Sequence, residues 1–344
     1  MFDELLGNEQ LKETFVRLTK SGRIPHSALF VGRSGIGKKL FALEIAKYFA
    51  CKTPVEFASC GNCTSCIRGS NFIYPRFDDK DSHKKVIFSE HPDIGTVIPY
   101  RNNILVDSIR DLEKEANYRP YEANARCFII DDADRLNDAA SNALLKTLEE
   151  PAGTTYIFLI ASNPNSLLPT IRSRCQMFRF SPLQPEMIEE LLFEKMERSS
   201  EDAKFLSKIS NGSIGGAVNA DADWLSRRAE FLLSLLENIT FNRDFLTILQ
   251  TAEELNDVKD KDQYELSLKV LQTIIHDILL LKTSKEGGEI VNDHFSDRLE
   301  ILAAKVDILT LARWQSEVDL LRKNLRFNLN RKIAADALFL KMAG

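Results

Sequence analysis

The stretch Gly32-Arg-Ser-Gly-Ile-Gly-Lys38 restricts most strongly what this chain can fold into. Two glycines bracket four residues and a lysine follows. This G-x-x-x-x-G-K pattern is a phosphate-binding loop, whose backbone N–H groups wrap a polyphosphate while the lysine neutralises its outer charge. Such a loop needs a strand before it and a helix after it. The apolar run Ala28–Val31 reads as a buried strand, and Leu40–Ala50 carries Phe41, Ile45, Tyr48 and Phe49 at helical spacing. Phosphates cradled by Gly32, Gly35, Gly37 and Lys38 would therefore sit on a helix N-terminus. Position 39 departs from the pattern. A Ser or Thr hydroxyl there helps hold Mg²⁺, and this chain has Lys39.

The surrounding pattern is α/β. Glu4–Ser21 reads as a helix with Leu5, Leu11, Phe15 and Leu18 on one side, and Ile104–Asn117 repeats the period through Leu105, Ile109, Leu112 and Ala116. Cys127–Asp131 and Tyr156–Ala161 are short, wholly apolar runs of the kind found in parallel sheets covered on both faces. Between them Asn137 caps a helix that carries Ala140, Leu144 and Leu148 and stops at Pro151. Strand–helix alternation of this sort places ligands at the carboxyl ends of the strands. The first of these strands ends in Asp131 and Asp132. The former is placed to hold Mg²⁺, and the latter is one methylene shorter than the Glu that commonly polarises an attacking water. The second strand ends in Ser162 and Asn163, which makes Asn163 a further candidate nucleotide contact.

Cys51, Cys60, Cys63 and Cys66 follow the loop helix with the spacing C-x8-C-x2-C-x2-C. Closely spaced thiolates in tight turns suit tetrahedral Zn²⁺, and a closed set of four leaves no open position, so the role would be structural. Buried, unliganded cysteines are the alternative. Asn71–Glu90 is polar and mixed in charge and reads as an exposed insertion. Beyond Phe180-Ser-Pro-Leu183 the strands stop. Gln184–Ser199 and Glu201–Ser210 read as two short helices closed by Asn211-Gly212. Trp224–Asn238, Asp244–Leu255, Tyr264–Leu281, Asp297–Asp307 and an interrupted Leu311–Met342 read as a separate all-α domain.

Composition narrows the class. A net charge of −5 excludes a protein that coats nucleic acid with its whole surface. No apolar run approaches the roughly 18 residues of a membrane span. The acidic start Met1–Glu9 lacks a basic-then-apolar leader, so a cytoplasmic protein is expected, where disulfides are not the default use of its six cysteines.

Several stretches together resemble the clamp-loader subunits of bacterial DNA polymerase III. They are Gly7-Asn8-Glu9, Ile24-Pro25-His26, the loop Gly32–Lys38, the four cysteines, His91-Pro92-Asp93, Ile129–Asp134, the string Ala143-Leu-Leu-Lys-Thr-Leu-Glu-Glu-Pro151, and Ser173-Arg174-Cys175. They occur in the family's order over roughly the first 220 residues. More weakly, Asn328, Asn330, Ala335, Leu338 and Leu340 look like the family's closing helix. The resemblance implies a P-loop AAA+ module with a parallel sheet and a zinc insertion (about residues 51–66) over 1–181. A small helical lid over 182–222 and an all-α collar over 223–344 would follow. It also implies membership of a five-subunit ring with gamma/tau and delta subunits, which opens the sliding clamp and places it on primer-template DNA.

Within that family two types are candidates, the ATP-hydrolysing motor (gamma/tau) and the stator (delta-prime). The resemblance makes Ser173-Arg174-Cys175 the catalytic element that acts in trans, with Arg174 an arginine finger at a neighbour's ATP site. Three departures speak against turnover in cis: Lys39, the Asp131–Asp132 pair, and Gly215, where motor subunits carry an arginine toward the γ-phosphate. The expectation is a delta-prime-like chain with little or no ATPase of its own. ATP or ADP at the loop remains open at this point.

Overall fold

The computed structural model describes residues 5–56, 58–256, 261–283, 290–325 and 329–344. Glu4 and Asn328 lie outside the described residues. By compactness the chain divides into two units. The first is residues 1–188 with 211–216, and the second is residues 189–210 with 217–344.

The first unit is built on one sheet. In chain order it carries α1 (Glu9–Lys20), β1 (Ser27–Val31), α2 (Lys38–Ala50), α3 (Thr64–Ser70), β2 (Ile87–Phe88), β3 (Ile94–Val97), α4 (Val106–Ala116), β4 (Arg126–Ile130), α5 (Asp138–Glu149), β5 (Thr155–Ala161), α6 (Pro169–Arg172) and β6 (Gln176–Arg179). The six strands lie in the order β2-β3-β4-β5-β1-β6, all parallel except β2, which runs against β3. The loop strand β1 and the acid-bearing β4 therefore flank β5. Their carboxyl ends, with the Ser162 end of β5 between them, converge on one edge of the sheet.

Strand alternation explains why the runs are apolar throughout. Leu29 and Val31, Phe128 and Ile130, and Ile157 and Leu159 point to the face covered by α4 and α5, where Ile109, Leu112 and Leu144 meet them. Ala28 and Phe30, Cys127 and Ile129, and Phe158 and Ile160 point to the opposite face, under Phe15 of α1 and Phe41 and Ile45 of α2. A strand with both faces covered has no side chain for water. On the second face Phe15, Phe30, Phe41, Phe178 and Phe180 form an aromatic cluster with several edge-to-face pairs, the Phe15 and Phe41 centroids 4.9 Å apart.

Two local expectations need correction, and two strands were not foreseen. The first helix begins at Glu9 because Gly7 and Asn8 take φ of 65° and 55°. Asn8 instead locks onto residue 181, its Oδ1 accepting from Ser181 N at 2.7 Å and its Nδ2 donating to Ser181 O. β3 was not visible in the sequence because Gly95 interrupts its apolar run. A Cβ there would come 2.6 Å from Val86 Cγ1 and 3.3 Å from the Phe128 and Phe88 rings. β6 escaped because it is an edge strand whose Gln176 and Arg179 are exposed. The span Asn71–Glu90 is only partly an exposed insertion. Ile73 and Phe77 face solvent, whereas Val86 is buried and Ile87–Phe88 adds a strand to the sheet.

The second unit is helical. Its elements are the greater part of α7 (Pro185–Met196), then α8 (Ser200–Ile209), the end of α9 (Ile214–Val218), α10 (Ala222–Glu237), α11 (Phe245–Asn256), α12 (Lys261–Thr283), α13 (Ser296–Lys305), α14 (Ile308–Asn324) and α15 (Arg331–Ala343). Side-chain caps at Ser199, Asp221, Asp307 and Asn330 open four of them. Leu232, Leu271, Ile275, Leu311 and Phe339 are among its buried side chains. The Trp314 indole N–H donates to Met342 O at 3.0 Å. Among the described residues no helix is long and apolar enough to cross a membrane.

Candidate functional site

The phosphate-binding loop has the backbone its glycines were expected to allow. Gly35 and Gly37 take φ of 76° and 96°, and α2 starts at Lys38, two residues earlier than the apolar period suggested. Its first backbone donor and its lysine are nevertheless committed within the protein. Gly32 N–H bonds to Ala161 O at 3.2 Å. Lys38 is buried, and its Nζ folds back onto Gly32 O and Arg33 O, both at 2.6 Å. Burial holds the Lys38 ammonium below its ordinary pKa, against the opposing pull of Asp134, Asp132 and Asp131.

Lys39 Nζ lies 2.9 Å from Asp131 Oδ2. The carboxylate that was expected to hold Mg²⁺ is thus neutralised by the residue that replaces the metal-holding hydroxyl. Tyr74 closes the group from outside, its ring centroid 4.9 Å from Lys39 Nζ. Burial pulls the Lys39 pKa down, but Asp131 and the Tyr74 hydroxyl outweigh it, and the net shift is upward. Asp132 sits at φ 48° with Oδ2 3.5 Å from Arg135 Nε. Burial, then the charge of Asp131, raises its pKa.

Residues 213–215 lie directly on the loop. Ser213 Oγ donates to Ser34 O at 2.9 Å, and Gly215 N–H to Gly35 O at 2.8 Å. A Cβ at Gly215 would sit 3.2 Å from Gly35 Cα, so a long side chain at that position could not keep this contact unshifted. What remains is a cavity of about 220 Å³ bordered by Ser34, Lys38, Lys39, Asp131, Ser162 and Ile214. Small-molecule sites typically span ~300–1,000 Å³.

Not every expected contact comes together. Ser162, not Asn163, borders the cavity. Asn163 is exposed, and its Oδ1 is spent on Asn165 N at 3.1 Å, capping the turn that follows β5. Tyr74 and Ser213 were missed by sequence reasoning, and neither carries a local signal. Tyr74 is one of several apolar side chains in its stretch, with Phe72, Ile73 and Phe77, and Ser213 is an ordinary turn residue.

The four cysteines of the insertion converge. Their sulfurs all lie within 4.8 Å of one another, with Cys51–Cys63 and Cys60–Cys66 pairs each at 4.0 Å. Tetrahedral ligation at roughly 2.3 Å per bond needs sulfurs about 3.8 Å apart, so the set fits one metal ion with small adjustment. Donors surround it. The Thr53 hydroxyl and the Cys63 N–H hold the Cys60 thiol down at about 6. Cys51 ends α2, and Ser59 Oγ donates to Glu44 Oε2 of the same helix at 2.8 Å, which ties the cluster to the loop helix. The cluster could bind a metal.

Arg174 stands between α6 and β6, about one-third exposed. Its Nη1 donates to Thr170 O at 2.9 Å, and its Nη2 pairs with Glu149 at the end of α5. Ser173 Oγ also turns to Thr170 O, at 3.1 Å. Cys175 differs from its neighbours. It is buried in the α4/α5 side of the core, and burial pushes its thiol up to about 12, so it packs rather than reacts. Cys127, on the other face, is likewise buried and its thiol is pushed upward.

His91-Pro92-Asp93 organises the segment before β4. Asp93 is fully buried, its carboxylate accepting from the N–H groups of Tyr121, Glu122 and Ala123 at 2.8–2.9 Å, with Arg126 Nε 3.6 Å away. The buried Arg126 bonds Glu115 O at 2.6 Å and Glu115 Oε2 at 3.1 Å.

The chain is similar to known proteins. The family described as DNA polymerase III, delta subunit, matches residues 7–184, just over half of the chain. The DNA polymerase III subunit delta' of Bacillus subtilis (strain 168) is 32% identical over 283 residues, covering 79% of this chain and 77% of that protein. The subunit delta' of Escherichia coli (strain K12) is 31% identical over 60% of this chain and 57% of its own length. The subunit tau of Salmonella typhimurium is 29% identical over 63% of this chain and 32% of its own length. Against the last two, the match spans less than two thirds of the relative.

Proposed function

This chain belongs to the DNA polymerase III delta-subunit family, and from that premise we propose that it is a stator-type, delta-prime-like subunit of the clamp loader. In this reading it joins gamma/tau and delta subunits in a five-membered ring that loads the sliding clamp onto primer-template DNA. Residues 1–181 would be the AAA+ module, 182–222 its lid and 223–344 the collar through which the ring is held.

The observation that carries the reading is the Lys39–Asp131 ion pair. An ammonium in the place of the metal cancels the carboxylate's charge and repels a dication, so Mg²⁺-dependent hydrolysis in cis has no seat. Lys38 turned onto its own loop and Gly215 docked on Gly35 support the same conclusion. The loop then serves as a folding element, and Gly32, Gly35, Gly37, Lys38 and Asp131 are its remnant nucleotide contacts.

Arg174 supplies this chain's share of the ATP chemistry. Its guanidinium would enter the adjoining subunit's ATP site and stabilise charge on the transferring phosphoryl oxygens, with Ser173 and Cys175 shaping the turn that presents it. The four cysteines would hold one structural Zn²⁺; thiolate ligands and a closed tetrahedral set favour zinc over harder cations.

Two measurements test this. The isolated chain should show no multiple turnover of Mg-ATP, and turnover would favour the gamma/tau motor type to which the tau match also points. In the reconstituted ring, Arg174→Ala should slow hydrolysis at the adjoining site by about 10³–10⁵-fold. An unchanged rate would remove the trans role.

A further inference from the structure

We propose that Glu149 is a positioning residue for Arg174, holding its guanidinium stowed against its own subunit until a phosphate at the neighbouring site competes for it. The proposal rests on the reading of Arg174 as a trans-acting arginine.

The geometry has three relevant parts. Both internal bonds of Arg174 use its terminal nitrogens, Nη1 to Thr170 O and Nη2 to Glu149 Oε1. Those nitrogens form the outer edge of the fork through which a guanidinium grips phosphate oxygens. While both bonds stand, that edge is turned to the chain's own helix ends. Second, neither partner is sealed away: the Arg174 and Glu149 side chains are 32% and 46% exposed. An ion pair this wet is weak, and charge-assisted bonds to a phosphate can displace it. Glu149, released, is still hydrated. Third, Glu149 is the last residue of α5 and Glu150 follows in a non-helical conformation, with Pro151 next. The helix end fixes the Glu149 backbone beside Arg174, and the Thr170 carbonyl gives the guanidinium a second anchor.

A weak, well-placed carboxylate makes a latch of suitable strength. It keeps a long cationic side chain off wrong anions and yields when the correct one arrives. No bond is made or broken covalently; one anion replaces another on the same guanidinium.

The test uses the reconstituted ring with its other ATP sites inactivated, assayed without clamp or primed DNA. Glu149→Gln should raise the basal turnover number at the adjoining site by about 1.5- to 5-fold, the range an exposed pair is worth. KM and the melting temperature of the chain should stay unchanged. Glu149→Asp, which keeps the charge, should return the rate toward wild type. The double variant Glu149→Gln/Arg174→Ala should match Arg174→Ala alone. If Glu149→Gln is equal to or slower than wild type while Arg174→Ala is impaired, the latch is overturned and the trans role of Arg174 stands. If Arg174→Ala itself turns over at the wild-type rate, both fall together.

Discussion

Lys39 Nζ and Asp131 Oδ2 stand 2.9 Å apart, joining the first turn of α2 to the carboxyl end of β4 across the neighbouring end of β5. The pair occupies the place where a phosphate-binding loop and its acidic strand would share a divalent cation. Tyr74, from the segment after the cysteine cluster, lies over the lysine.

Replacing that lysine should reopen the place without restoring catalysis. Lys39→Thr frees Asp131 and removes the repulsion of a dication. Affinity for a fluorescent Mg-nucleotide should rise by about tenfold or more, equivalent to ~1.4 kcal/mol. Multiple turnover should still be absent, because Asp132 remains paired with Arg135 and Gly215 offers no side chain. Nucleotide titration followed by phosphate release measures both.

The buried Asp93–Arg126 pair should dominate the stability of the first unit. Asp93→Asn removes one of the two carboxylates beside Arg126, leaving Glu115, and turns an amide N–H toward backbone donors that the carboxylate now accepts. Breaking one partner of such a pair costs about 3–5 kcal/mol. Urea denaturation should show a lowered midpoint of that size in Asp93→Asn and no comparable loss in an exposed control such as Asp107→Asn.

His91 should make the protein acid-sensitive. It is fully buried, its Nδ1 accepts from Asp93 N at 3.3 Å, and burial holds its pKa below the ordinary 6.5 against the pull of Asp93 and Glu122. The unfolded chain then binds more protons than the folded one as pH falls below about 6.5, so stability rises with pH across that window and is lost on acidification. The slope is at most about 1.4 kcal/mol per pH unit. His91→Gln should flatten this part of the melting-temperature profile between about pH 5 and 7.5. An unchanged slope would assign it to other groups.

Cysteine chemistry should divide into two classes. Protein purified without added metal should carry about one zinc per chain, and chelation should lower the melting temperature and expose Cys60 and Cys63 to alkylation. Cys127 and Cys175 should resist alkylation in the folded protein with or without chelator, since burial keeps both thiols protonated. Mass-spectrometric mapping separates the six positions. Modification of Cys175 in the native protein would contradict its place in the core.

Much of the first unit was legible because its signals are local. The glycines around Ser34, the run Phe128–Ile130, the Asn137 cap and the C-x2-C steps each declare a conformation over a few residues. β3 and β6 were hidden for a physical reason. A glycine held under Val86 and two rings breaks the one pattern, and edge exposure makes the other half polar. Asn163 was a candidate nucleotide contact, and its Oδ1 accepts from Asn165 N, since a polar residue at a strand end can cap a turn as readily as face a ligand.

The sequence by itself determined that a strand, a glycine loop and a helix follow one another, and offered four closely spaced cysteines as a metal-ligand set. Both signals are local, since backbone geometry and thiol reach act over short distances. Only the tertiary structure brought Lys39 to Asp131, Tyr74 over Lys39 and Gly215 onto Gly35. It likewise decided that Arg174 rests on Glu149. These contacts join segments far apart in the chain, and sheet order and burial, which no local pattern encodes, set which charges become neighbours.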